Sequence, residues 1–449
     1  MLPSESTLRS AAPSIPDPGA KPIAERVVLA GGTVLDLHPP RIAPADVLVE
    51  GGVVAQVGGA MPAGVPRVDV GGCFVTPAFA VAHTHLYMTL TAGMPPPPAP
   101  PRTLADVLQS VWWTVDKALD DELVHTSALV AAASAAKAGA AVVVDLHSSP
   151  RAIDGSLDRI EAALDEVGIR GVLAYETSDR EGRARRDAAL RENARFLEKV
   201  RAGRSRHRAL VGAHAMFSLN DDTLDALRHL ADEHGVGIHV HVAEDMTDHV
   251  DAERTRKTTL ASRLDRLGLA RPGSIVAHAL QLETAAIDAI MRAGGTLVTC
   301  PRSNMLHGVG IFSRTGPRVA LGTDGVDHDV LAEARAHHLR HSEARDDRAR
   351  ETGMRIAAAQ TAAASAHQVV PGAPANLAVL DWTPPTPVTT ANLGDHVGRS
   401  LSSAHVRDTM VDGRFVVRDR KLVAIDEVEL VLRARAAATR LWERMQGYP

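Results

Sequence analysis

The chain has 449 residues, with Lys+Arg 49 against Asp+Glu 54 for a formal net charge of −5, and only 3% of its residues are aromatic. Without a basic surplus there is little to neutralise a phosphate backbone, so no nucleic-acid partner is expected. No run approaches the roughly 20 uncharged apolar residues of a membrane-spanning helix, and the two distant cysteines, Cys73 and Cys300, cannot build a disulfide framework.

Residues 1–23 are rich in Pro, Ser and Ala without apolar periodicity and read as a disordered tail. No apolar leader-like stretch precedes Val27, so the expected location is cytoplasmic. From 24 to 76, short β-prone runs are separated by Gly-Gly pairs, the punctuation of hairpins. The stretch 371–425 has the same texture, with turns at Asp412-Gly413 and Asp419-Arg420. The two chain ends are therefore expected to form one small β-sandwich domain, with 426–449 as a C-terminal helix.

Between them, across 77–370, eight apolar runs (PAFAVAH, AAVVVDLH, GVLAYE, ALVGAHA, GIHVHVAE, SIVAHA, GTLVTC and VALGTD) alternate with amphipathic stretches such as TLDALRHLADEHG. Short apolar runs of this kind are strands buried on both faces, and eight in one βα series predict an α/β fold, a (β/α)8 TIM-type barrel. After the first run, GMPPPPAPPRTL is too Pro-rich for a helix and is expected to arch over the barrel mouth. A helix carrying Trp112 and Trp113 follows. Between Asn304 and Asp324 there is hardly room for a full βα unit, so the seventh helix should be vestigial.

Active groups of such barrels sit at the C-terminal strand ends. Here those ends offer His83 and His85, then His214, then His239, His241 and Glu244, then His278, and lastly Asp324. Residues two apart on a strand share a face, so His83 and His85 present two imidazoles side by side. Histidine with carboxylate favours zinc or a similar first-row ion.

The segments TPAFAVAHTHLYMTLTAGM, HVHVAED, SIVAHA, CPRSNMLHGVG and LGTDG, in this order, resemble the amidohydrolase superfamily. Within it the likeness is to the metal-dependent hydrolytic deaminases, and WWTVDKAL, GSLDRI and AYETSDREG point to an aminohydrolase/chlorohydrolase branch. The resemblance implies metal ligation by His83, His85, His241 and Asp324, with His239 the bland member of its HVH triplet. It makes Glu244 the proton shuttle, His278 the residue that polarises the attacking water, and Asp324 a catalytic group besides a ligand. No lysine ends a barrel strand, so a single divalent ion per chain is implied, Zn2+ first with Fe2+ or Mn2+ as alternatives, and no organic cofactor.

His214, Trp112, Trp113, Arg302, Asn304 and His328 are the expected substrate contacts. Tyr87, Tyr175, Phe217, Phe312, His147, Glu176 and His307 are further candidates for the same rim. The implied reaction is hydrolytic deamination of a small-molecule N-heterocycle (purine, pterin, pyrimidine or triazine-like), releasing ammonia. Opening of a cyclic amide C–N bond, displacement of ring chloride, and an inactive barrel kept for assembly are the alternatives. Relatives in this group are often homo-oligomers.

Overall fold

The computed structural model describes residues 26–448, so the expected tail at 1–23 lies outside the described residues. Eight parallel strands follow one another with helices between: Phe79–Thr84, Ala140–His147, Arg170–Tyr175, Val211–Ala215, Ile238–Val242, Ile275–His278, Thr296–Thr299 and Val319–Leu321. This is the α/β architecture of a TIM-type barrel, and every apolar run expected to be a strand is one. Ala140–His147 shows why: all eight of its side chains are buried, as a strand covered on both faces requires. Parallel pairing joins the first three strands in sequence order and then the last five. Isolated parallel bridges lie at the two seams, Thr84 with Asp324 and Thr177 with Ala213.

The helices between strands take their limits from local chemistry. Ser156–Val167 begins after Gly155 and stops at Gly168, whose φ of 95° is left-handed. Asp121–Lys137 begins where the Asp120 carboxylate accepts the Leu123 N–H. The segment from Leu104 to Ala118 is helical as expected, but a π-turn at Leu108–Trp112 interrupts it. Trp112 ends that turn and Trp113 opens the helix after it, and both line the cleft at the barrel mouth. The seventh helix is indeed short: Pro301–His307.

Strands from the two chain ends share one seven-stranded sheet. Phe74–Pro77 pairs parallel with Thr33–Leu37 and antiparallel with Leu377–Leu380, Leu377 lying opposite Pro77. A four-stranded sheet containing Arg26–Ala30 packs with it around Val27, Leu29, Val34, Leu377, Met410 and Phe415, a core separate from that of the barrel. Asp412 and Gly413 have φ of 51° and 76°, and Asp419 and Arg420 have 48° and 65°, the paired left-handed conformations of tight hairpin turns. The C-terminal helix, Glu427–Met445, lies against Asp121–Lys137 and against the 3-10 turn Leu86–Thr91 that leaves the first barrel strand. Among the described residues no helix is long and apolar enough to cross a membrane.

Candidate active site

His83 and His85 leave the first barrel strand on one face, their ring centroids 4.8 Å apart. His85 Nδ1–H donates to the Leu146 carbonyl at 2.6 Å, and His241 Nδ1–H donates to the His214 carbonyl at 2.7 Å. With each Nδ1 proton so engaged, the Nε2 atoms are the ones left to accept, and they lie 3.1 Å apart. His83 Nδ1 sits 2.8 Å from His239 Nε2, while His83 Nε2 is buried without any hydrogen-bond partner. Asp324 Oδ1 completes the cluster, 3.3 Å from His85 Nε2 and 3.9 Å from His83 Nε2. A buried nitrogen with no partner is costly unless something else uses its lone pair, and this donor set suits a first-row divalent cation.

The electrostatics of His83 and His241 agree with that use. Burial holds the His83 imidazolium well below its ordinary range and brings His241 down to about 3, so both rings are neutral, as metal ligation requires. Burial would lower His85 and raise Asp324, but the contact between them outweighs it: His85 is raised to about 9 and the carboxyl is kept well below the usual carboxylate range, so without a cation His85 Nε2 carries a proton toward Asp324 that a bound ion would displace.

Beside this point lie the groups that can move protons. The His278 Nδ1–H donates to Asn304 Oδ1 at 3.2 Å, which aims Nε2 between Glu244 Oε2 at 3.6 Å and Asp324 Oδ2 at 3.7 Å. Ser303 Oγ donates to Asp324 Oδ2 at 2.6 Å, and the His307 Nδ1–H donates to Glu244 Oε1 at 2.9 Å. Burial pushes Glu244 up, but the charge of His278 and the bond from His307 bring it below its ordinary value. Ala243, His278, Ala279 and Asp324 all have left-handed φ, between 48° and 68°. Such backbone costs on the order of 1–3 kcal/mol per residue and persists where surrounding contacts hold it, here at three strand ends around one point.

A cleft opens over these groups, with about 600 Å³ of non-atom space when its solvent-open mouth is included. Tyr87, Trp112, Trp113 and Phe217 form its aromatic wall, with Leu104 and Leu108 from the helix after the Pro-rich loop. Gly325 leaves room for that wall, since a Cβ there would come within 2.5 Å of the Trp112 ring. At the other end stand Asp116, Glu176 and His214. Arg180 pairs with Asp116 and lies over the Trp113 ring at 5.1 Å, and Ser148 Oγ donates to Asp116 Oδ2 at 2.8 Å. Burial lifts Glu176 to about 7 against the opposing pull of His85 and Arg180.

A family model described as the amidohydrolase family matches residues 74–416. The chain belongs to the amidohydrolase family. Among curated proteins it is 27% identical over 414 residues to a 5-methylthioadenosine/S-adenosylhomocysteine deaminase of Thermococcus sibiricus, covering 87% of this chain and 94% of the relative. It is 28% identical over 383 residues to a 5'-deoxyadenosine deaminase of Methanopyrus kandleri, covering 82% and 86%. In fold it is similar to the crystal structure of an adenosine deaminase from Xanthomonas campestris, with a TM-score of 0.79 at 23% identity over 92% of this chain and 98% of that one.

In this amidohydrolase the structure gathers His83, His85, His241, Glu244, His278 and Asp324 in three overlapping clusters that share His83, His278 and Asp324 pairwise, and it brings His214, Trp112 and Trp113 to the cavity wall. It does not bring Arg302, Asn304 or His328 there. Arg302 spends its guanidinium on Asp327 and on the buried Glu333, with Nε to Glu333 Oε1 at 2.7 Å. Asn304 faces His278 from behind. His328 is held between Thr84 Oγ1 at 3.0 Å and Thr89 Oγ1 at 2.8 Å. Tyr175, Phe312 and His147 are also buried away from the cavity, whereas Glu176 and His307 line it. His239 is not bland, because it orients His83. Asp116 and Arg180, which lie within WWTVDKAL and AYETSDREG, were not among the expected site residues. Asp116 follows Trp112 by four residues, which on a helix is the same face; no spacing within AYETSDREG singles out Arg180.

Proposed function

We propose that this protein is a mononuclear metal-dependent aminohydrolase, a hydrolase of carbon–nitrogen bonds other than peptide bonds, that exchanges the exocyclic amine of an N-heterocycle for oxygen and releases ammonia. An aminated purine carried on a nucleoside heads the substrate list, which is what the two curated relatives act on by name. The observation that carries the reading is the convergence of three anchored imidazoles and Asp324 on one buried point, with Glu244 and His278 facing that point from the cavity. His83, His85, His241 and Asp324 are the residues that would hold the ion, zinc before iron or manganese because nitrogen donors dominate the set. When bound, the cation supplies Lewis acidity that makes water a competent nucleophile near neutral pH.

The chain's own groups carry the rest. Water adds at the ring carbon bearing the amine; Glu244, through Oε2, takes a proton from that water and delivers it to the adjacent ring nitrogen. His278 Nε2 lies beside both carboxylates and polarises the attacking oxygen. Asp324 Oδ2, with Ser303 bonded to it, is placed to carry the remaining water proton to the leaving amine, so that C–O forms, C–N breaks and ammonia departs. Trp112, Trp113 and Phe217 offer flat apolar surface for a planar ring and keep bulk water off it.

The architecture that supports this site is inferred to be one closed barrel over 77–370, the two parallel runs meeting at the Thr84–Asp324 and Thr177–Ala213 bridges. Segments 24–76 and 371–425 then make one β-sandwich domain, with the helix at 426–449 appended.

The test is ammonia release by purified protein from adenosine, 5'-deoxyadenosine, methylthioadenosine, guanine, cytosine and an aminotriazine, together with metal analysis. One equivalent of a divalent first-row metal is expected, with turnover of at least one substrate. Glu244→Gln should keep the metal and lose about 10²–10⁴-fold in kcat, because the amide cannot accept the proton. Two tightly held equivalents would overturn the mononuclear assignment, and undiminished turnover in the variant would overturn the shuttle.

A further inference from the structure

The short helix Pro301–His307 touches the reacting end of the site three times. Ser303 bonds Asp324, Asn304 bonds His278 and His307 bonds Glu244. Each group assigned a proton-handling role therefore receives one partner from a single turn-and-a-half of helix. Ser303 and His307, four residues apart, project from one face, with Ser303 Oγ 3.5 Å from His307 Nδ1. The loss of the remainder of the seventh helix leaves this fragment in place, ended by Gly308 at a left-handed φ of 67°.

Of the three partnerships, that of Glu244 is the most exposed to loss. Glu244 sits in the irregular segment after Ile238–Val242, behind Ala243 with its φ of 48°, so no strand or helix backbone sets its side-chain direction. Among the described residues, the His307 bond is the one hydrogen bond its carboxylate accepts. The His278 contact, at 3.6 Å, is too long to fix it. His307 itself is constrained by the helix end and by the edge of Trp112, 6.3 Å between centroids.

We propose that His307 is a positioning residue for the proton shuttle: it pins Glu244 Oε1 so that Oε2 is turned to the point where water and substrate meet. The inference rests on the shuttle role assigned to Glu244 above. A carboxylate free to rotate would present Oε2 correctly for only part of the time, and misplacement of a reacting group by about 1 Å can cost on the order of 10²-fold. The apolar Leu side chain cannot donate, whereas an Asn amide reaches the place of Nδ1 and can.

The experiment compares His307→Leu, His307→Asn and Glu244→Gln, each alone, and His307→Leu combined with Glu244→Gln, with metal content and thermal midpoint measured throughout. His307→Leu should lower kcat by about 10- to 100-fold with KM within about threefold and metal retained. His307→Asn should recover most of that loss. In the Glu244→Gln background His307→Leu should cost nothing further, because the partner it positions no longer shuttles. A crystal structure of His307→Leu should show Glu244 Oε1 displaced, a readout independent of turnover. The proposal fails if Glu244 stays in place in that structure. It also fails if His307→Leu raises KM at unchanged kcat, which would make the ring a wall of the pocket. If Glu244→Gln is itself fully active, the shuttle assignment falls and this inference with it. Full loss in Glu244→Gln beside wild-type kcat in His307→Leu would overturn the positioning role alone.

Discussion

Glu176 is a carboxyl group with 6% of its surface exposed, and its Oε2 has no hydrogen-bond partner. Burial, opposed by the charges of His85 and Arg180, raises it from 4.5 to about 7. In the unfolded chain the group ionises near its ordinary value, so the folded state binds the proton more tightly, and this contribution to stability is fully present only at acid pH. It falls as pH rises from 4.5 to about 7 and stays lost above. Glu176→Gln removes the dependence. Thermal melts of variant and wild type should therefore diverge from pH 5 to pH 8, the variant gaining on the order of 2–3 kcal/mol over that interval. Parallel melting curves at the two pH values would mean that the carboxyl is satisfied in solution by a partner other than those named. AYETSDREG holds one of its neighbours, Arg180, but neither the burial of Glu176 nor its other neighbours could be read there, because His85, Asp116, His214 and Asp324 arrive from other barrel segments. The candidate ligands His83 and His85 were legible for the opposite reason: their two-residue spacing on a strand determines on its own that they share a face.

Among the elements, the loop and helix after the first strand and the fragment Pro301–His307 divide the rim between them. The first contributes the aromatic wall, the second the partners of the acid–base groups. Trp112 and Arg302, both expected to touch substrate, should thus behave differently. Trp112→Ala removes cavity wall beside His85, whose ring lies 5.1 Å away, and should raise KM or reorder preference among ring substrates. Arg302→Ala instead takes the guanidinium from Glu333, whose side chain is 0% exposed, and leaves it the residue-302 backbone N–H at 3.1 Å. Burial raises Glu333 to about 8 even against the pull of Arg302, so in the variant it takes up a proton and the loss is that of charge-assisted hydrogen bonds, about 1.5–3 kcal/mol; this variant should melt earlier while any properly folded fraction keeps its KM. A shift of KM without loss of stability in Arg302→Ala would return that residue to the pocket. Sequence alone could place Arg302 near a strand end but not choose its direction, since a guanidinium pairs with whichever carboxylates the next segment delivers, and those came from the eighth βα loop and its helix. The shortening of the seventh helix, by contrast, was already visible in chain length and glycine content.

At the scale of the molecule, the C-terminal helix braces the mouth of the barrel from outside. Trp442 Nε1–H donates to the Leu90 carbonyl at 2.9 Å, Arg444 donates to the Ala118 carbonyl, and Arg440 pairs with Asp120 and Glu122. These contacts clamp both ends of the segment that carries the Pro-rich loop and the two tryptophans. A chain ending at Asp426 should keep its metal, because every candidate ligand belongs to the barrel, yet melt earlier and bind substrate less tightly. Metal analysis, melting and KM measured together would check this, and an unchanged KM would show that the aromatic wall stands without the brace. Hydrophobic run length, strand pitch and turn chemistry are local properties, so the sequence by itself determined the strand order, the hairpins of both chain ends, the paired histidines and the likeness to a hydrolase family. What only the tertiary structure decided are the partners: Leu146 and His214 carbonyls that set the imidazole tautomers, His239 behind His83, Asp116 with Arg180 at the far end, and His307 on Glu244. Such pairings join segments tens to hundreds of residues apart, and they exist only once the barrel has folded every strand end to the same mouth.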